Sequence, residues 1–138
     1  MLVTSPALYT PDMKLLLVLS CANGLVAVLL GAFGAHGLKA RLGGLSDGPA
    51  RLEWWQTAAH YHLTHALALG LVAFLASRVP GPLPTWAGLC FASGIALFSG
   101  SLYVMTLTGV RALGAVTPLG GLLLCAGWAL AGWAALRM

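Results

Sequence analysis

The charged residues of this chain leave four long stretches that carry no charge. Seven Lys and Arg and three Asp and Glu residues bound these stretches, which lie between Lys14 and Lys39, Glu53 and Arg78, Arg78 and Arg111, and Arg111 and Arg137. A helix of about 20 apolar residues crosses a hydrocarbon core of about 30 Å. The spacing therefore predicts membrane helices near Leu15–Ala35, Thr57–Ser77, Trp86–Leu107 and Ala112–Leu136.

The composition excludes a water-soluble domain. Only 7% of the residues are charged and 59% are hydrophobic, whereas soluble domains are about 25% charged. A length of 138 residues allows about one domain. We therefore predict an all-α integral membrane four-helix bundle, a single multi-pass membrane domain over residues 1–138.

The net charge of +4 does not indicate nucleic-acid binding, because the cations are spread over the helix ends, where they suit lipid headgroups. Membrane lipids are the expected partners. Orientation stays open, since three cations fall on one side and four on the other. The first group is Lys14, Arg78 and Arg137, and the second is Lys39, Arg41, Arg51 and Arg111.

Two alternative uses of the apolar segments are less well supported. Cys21, Cys90 and Cys125 all fall inside proposed spans without near partners, so we expect reduced thiols and neither a disulfide nor a metal site. The first apolar run loosely imitates a cleaved signal peptide. It is longer than a usual signal core, and its internal Asn23 and Gly24 favour a packing helix.

Most of the polar chemistry is expected in one long first loop, from His36 to Gln56. Ser46-Asp47-Gly48-Pro49 predicts a helix start, with an acidic cap and a proline in the first turn. Trp54 and Trp55 would then lie at the membrane interface. The residues expected at the interface or in loops are His36, Glu53 and Arg111.

Small residues recur at helical spacing in several spans. In the first span they stand at four-residue steps, and small residues at this spacing let helices approach closely in lipid. The residues predicted to pack helices are Ala27, Gly31, Gly100 and Gly121.

Polar side chains of the second span predict a pocket facing the bundle. At about 100° per residue, Glu53, Thr57, Tyr61, Thr64 and His65 share one arc and His60 lies at its edge, while His62 points elsewhere. His65 is expected to bond to Asn23, Ser93 or Tyr103. The candidate pocket consists of Asn23, His60, Tyr61, Thr64, His65 and Tyr103.

Catalytic and cofactor chemistry find little support in the sequence. His62 and His65 could share an ion, but a third ligand is hard to find, and candidate haem ligands differ in depth. Ser99 and Ser101 lack a carboxylate-backed histidine. We therefore expect no metal, no cofactor and no catalytic residue.

Four segments together resemble the domain of unknown function 423 family of small bacterial membrane proteins. They are GAFGAHGLKARL, HALALGLVAFLA, SGIALFSGSLYVMTLTG and TPLGGLLLCAGWALAG. WAGLCFASGIALF is also similar to the animal relatives called transmembrane protein 256. The resemblance implies a four-helix protein of the bacterial cytoplasmic membrane with no established biochemical role, so no catalytic residue carries over. His36 and His65 match the family's motifs, whereas members often have glutamine at His62.

Three function classes follow from these observations. The first is a non-enzymatic accessory or scaffold protein that packs against itself or a larger membrane complex, as small-residue stripes on several helices favour. The alternative is a small transporter or channel subunit with a polar, histidine-lined pocket. A membrane enzyme ranks third.

Overall fold

A computed structural model of the chain describes residues 10–138, and every long element in that part is a helix. The elements are α1 (Pro11–Phe33), a π-helical turn (Gly34–Leu38), α2 (Lys39–Leu42), α3 (Gly48–Arg78), α4 (Leu83–Thr108), a 3-10 turn (Arg111–Ala115) and α5 (Thr117–Ala135). Four helical segments are long and apolar enough to cross a membrane. The predicted all-α membrane fold is confirmed. The single-domain prediction over residues 1–138 extends to residues 1–9, which lie outside the described part.

Prolines and one glycine set the helix boundaries. Pro11, Pro49, Pro84 and Pro118 stand in the first turns of the four long helices, where a missing N–H is harmless. Gly109, with φ 75°, ends α4 in a left-handed conformation. α3 begins as predicted from Ser46–Pro49, but the Asp47 side chain makes no cap hydrogen bond.

The prediction of a long loop from His36 to Gln56 is wrong, because most of these residues are helical. The first helical segment runs through the π turn and α2 as far as Leu42, and α3 already begins at Gly48. Residues 34–42 contain no proline, so the helix can continue through them. A π turn forms where Gly34 packs against the indole of Trp55, and the helix continues after it. Only residues 43–47 separate the two helices.

The long helices pack in an open arrangement around a central pair. α3 and α4 pack on each other, α1 packs mainly on α3, and α5 packs mainly on α4. α1 and α5 do not contact each other. The main core includes Leu69, Val72 and Phe91, all fully buried. The central pair therefore has packed neighbours on two sides.

The closest helix approaches occur at glycines other than those predicted. Ala27 is buried, but a Cβ atom added to Gly31 or Gly100 would meet no other heavy atom within 4 Å, and at Gly121 the nearest would be the Phe98 ring at 3.8 Å. The four-residue spacing shows which residues share one face of a helix, but it does not show whether another helix packs against that face. Tight contacts occur at Gly34 against Trp55, Gly88 against Leu16, Gly94 against Leu124, Gly120 against the Phe98 backbone, and Gly127 against Phe91.

Candidate functional site

His65 is a buried histidine whose two ring nitrogens both have partners. Nδ1 lies 2.7 Å from the carbonyl oxygen of Tyr61, one turn earlier in α3, and therefore donates to it. Nε2 accepts a hydrogen bond from the indole N–H of Trp128 in α5 at 3.2 Å. These two bonds select one neutral tautomer. The expected partners Asn23, Ser93 and Tyr103 are wrong, because the side chain faces α5.

His62, which the arc analysis set aside, joins three helices instead. Its Nε2 lies 3.1 Å from Oδ1 of Asn23 in α1, and its Nδ1 lies 3.4 Å from the hydroxyl of Tyr103 in α4. Asn23 uses its amide nitrogen to donate to the Leu19 carbonyl oxygen at 2.8 Å, which leaves Oδ1 as the acceptor for His62. His62 points away from the arc of His65, as expected, but it still faces the bundle, because α3 has neighbours on two sides.

The predicted polar pocket is consequently divided between two places. Asn23 and Tyr103 line a cavity of about 280 Å³ beside α1, which we call the α1 cavity. Its lining consists of Asn23, Val26, Leu30, His62, Ala92, Ile95, Ala96, Ser99, Gly100 and Tyr103. The other predicted residues line a groove of about 350 Å³ beside α5, the α5 groove, which consists of His60, Tyr61, Thr64, His65, Cys125 and Trp128.

The side chains of the α5 groove mostly face outward. Tyr61 is 40% exposed, and His60 and Thr64 are also exposed. The Thr64 hydroxyl donates to the His60 carbonyl oxygen of its own helix at 2.9 Å. His65 is the buried polar residue here, and its hydrogen bonds are already made. This groove therefore offers few free polar groups to a ligand.

Ser99 is a site residue that sequence analysis missed. It lines the α1 cavity and is 1% exposed. Its Oγ is the one buried side-chain polar atom in residues 10–138 that has no hydrogen-bond partner. The spacing could have predicted that Ser99 lies beside Tyr103, because Ser99 precedes Tyr103 by one helical turn and so shares its face.

Arg51 joins α3 to α4 at the end of the molecule near residues 43–47. Its Nε donates to Asp47 Oδ2 at 2.9 Å, and its Nη1 lies 3.4 Å from the carbonyl oxygen of Thr106 in α4. The Thr106 hydroxyl in turn lies 3.1 Å from the Arg51 carbonyl oxygen. These contacts join the start of α3 to the end of α4, and sequence analysis did not single them out.

The residues expected at the interface have different surroundings. Glu53 and His36 are exposed, and His36 lies within the π turn. Arg111 lies over the ring of Trp54, 5.9 Å from its centroid. Trp55, which was expected at the interface, is 2% exposed, because its ring fills the space between α1 and Tyr103.

The arrangement restricts the chemistry that these residues can perform. Within residues 10–138, no three His, Cys, Asp or Glu side chains come together as metal ligands. The hydrogen-bonded series from Tyr103 through His62 ends at Asn23, whose amide does not exchange a proton between two acceptors. The series therefore connects α4, α3 and α1 and orients these side chains.

Comparisons with known proteins place these features in a family. The chain is 46% identical over 118 residues to UPF0382 membrane protein YwdK of Bacillus subtilis, with 84% of this chain and 91% of the relative covered. UPF0382 inner membrane protein YgdD of Escherichia coli K12 is 38% identical over 126 residues, covering 91% of this chain and 92% of the relative. No solved structure matches the chain. The family model described as protein of unknown function (DUF423) matches residues 30–121, and the chain belongs to this family of bacterial membrane proteins.

Proposed function

We propose that the chain is a non-enzymatic accessory or scaffold protein, which packs against itself or against a larger membrane complex. The observation that carries this proposal is the open side of α1. Gly24 and Gly31 are two turns apart on that helix, and a Cβ atom added to either would meet no other heavy atom within 4 Å. Because small residues let membrane helices approach closely, this side offers room for a helix of another chain.

The hydrogen bonding of the two buried histidines supports a scaffold more than a transport path. A solute or proton path needs polar groups that exchange partners along the membrane. His62 and His65 each have both ring nitrogens engaged inside the protein. Their bonds strengthen the bundle, in keeping with a structural role.

Native mass spectrometry after gentle extraction from the source membrane tests the proposal. We expect a stoichiometric assembly with a second copy or another polypeptide. Gly31→Leu should remove the partner while the single chain keeps its fold, because the space beside Gly31 is open. Val18→Leu, at an exposed position about 120° around the same helix from Gly24, is the matched control and should leave the assembly intact.

Two results would contradict the scaffold role. One is a single chain without a partner in native membranes. The other is a reversed order of damage, in which His65→Ala and Tyr61→Phe abolish the cellular function while Gly31→Leu has no effect. The second result would favour the transporter or channel alternative.

A further inference from the structure

We propose that the α1 cavity binds a neutral membrane-soluble molecule through a carbonyl oxygen, with the Ser99 hydroxyl as the principal donor. This inference is independent of the scaffold role. It begins from the free hydroxyl of Ser99, since a buried polar group without a partner loses its hydrogen bonds to water and gains none in return. The space beside it is large enough for a ring-sized group, at about 280 Å³.

The behaviour of other hydroxyls in the spans makes Ser99 distinctive. Most helical Ser and Thr residues of this chain donate to a carbonyl oxygen of their own helix, as expected in an apolar environment. These residues are Thr64, Ser77, Ser93, Ser101, Thr106 and Thr108. Ser99 does not make this bond, and its buried Oγ has no other partner although the residue lines the α1 cavity.

The other polar groups of the cavity define the ligand chemistry. Asn23 donates one amide N–H to the Leu19 carbonyl oxygen, and its second amide N–H donates to no other group of residues 10–138. His62 has both nitrogens engaged. The lining contains no carboxylate, Lys or Arg and is otherwise mainly apolar. Free neutral donors on an apolar surface match a carbonyl oxygen carried by an apolar body, and they do not match an ion.

Depth separates two sources of such a carbonyl. Ser99 lies three residues beyond Ala96, which stands at the middle of the 26-residue α4, so its depth is about 5 Å from the helix centre. Ester carbonyls of glycerolipids lie outside the hydrocarbon core, about 15 Å from its centre. The position favours a molecule whose carbonyl enters the hydrocarbon region, such as a quinone-type ring, over a lipid ester.

The variants follow from the lining. Ser99→Ala removes the donor. Gly100→Leu fills the cavity, and the protein should tolerate it, because a Cβ atom at Gly100 would meet no other heavy atom within 4 Å. Two controls match these changes outside the cavity: Ser93→Ala removes an exposed hydroxyl of the same helix, and Gly132→Leu enlarges an open glycine of α5.

The experiment measures binding of two neutral probes to the full-length protein in detergent by native mass spectrometry: decyl-benzoquinone and dioleoylglycerol. We expect saturable one-to-one binding of the quinone, weakened about tenfold by Ser99→Ala and abolished by Gly100→Leu, with both controls binding as wild type. Glycerolipid binding with the same variant pattern would support the carbonyl site and assign it to a lipid ester. If neither probe binds, or if both bind equally to all variants, the proposal is wrong.

Discussion

Trp55 in α3 donates its indole N–H to the carbonyl oxygen of Leu30 in α1 at 2.8 Å. The same ring lies against Gly34, one turn beyond Leu30 and the first residue of the π turn. Its other side contacts Tyr103 of α4, with 4.6 Å between ring centroids. A single side chain therefore joins three helices where α1 passes into the π turn.

Trp55→Phe should lower the free energy of unfolding by about 1 kcal/mol, because it removes a buried hydrogen bond and part of the packed ring. Unfolding in bicelles, titrated with sodium dodecyl sulfate, measures the change. Trp86→Phe is the control, since Trp86 is exposed on α4. Equal stability of the two variants would show that the bond to Leu30 contributes nothing.

Two adjacent glycines of α5 should respond oppositely to alanine. A Cβ atom at Gly120 would lie 2.7 Å from the Phe98 Cα atom, so Gly120→Ala should reduce stability by about 1–3 kcal/mol. At Gly121 the nearest atom would be 3.8 Å away, an ordinary contact. Gly121→Ala should leave stability unchanged or raise it by up to about 1 kcal/mol, because alanine favours helix. The same unfolding titration compares them, and a larger loss at Gly121 would contradict the packing of α4 on α5.

The bond between His65 and Trp128 should appear as a coupling energy. A double-mutant cycle with His65→Leu and Trp128→Phe should give about 0.5–1.5 kcal/mol, since the two side chains bond directly across α3 and α5. Repeating the cycle with Trp133→Phe, which changes an exposed tryptophan of α5, should give a value near zero. Identical values in the two cycles would refute the bond.

His62→Gln should be tolerated far better than His62→Leu. A glutamine amide offers both a donor for Asn23 Oδ1 and an acceptor for the Tyr103 hydroxyl, as the ring does. Leucine leaves both partners without a bond, which lowers stability by about 1–3 kcal/mol. Thermal unfolding in detergent ranks the two variants, and equal melting temperatures would show that the three-helix contact is not held by hydrogen bonds.

Arg51→Met should destabilise the junction between α3 and α4 by about 1–2 kcal/mol, because it breaks the ion pair with Asp47 and the contact with Thr106. Arg41→Met removes an exposed cation nearby and should have no effect. Hydrogen exchange at the backbone amides of residues 104–109 reports the local change. Unaltered protection there in Arg51→Met would contradict this role.

The four membrane helices were predictable because charge placement and proline positions are local properties of the sequence. Lys14, Arg78 and Arg111 bound apolar stretches whatever the tertiary arrangement. The start of α3 at Gly48 was likewise visible in the dipeptide Gly48-Pro49. The end of the first helix was not, because a π turn has no comparable signature in the chain.

The candidate site was harder to predict because it depends on which helix each face meets. The helical arc groups Tyr61 with His65 correctly. It assumes, however, that only one face of α3 meets other helices. α3 lies between α1 and α4, so His62 is as buried as His65, each at 5% exposure. The free hydroxyl of Ser99 depends on a side-chain rotamer, which the residue type alone does not determine.

The lack of contact between α1 and α5 has an energetic consequence. Because each outer helix docks on the central pair through its own surface, a change at Ala27 does not reach Gly127 through a shared interface. Changes on the two surfaces should add in free energy, since distant sites without common partners are independent.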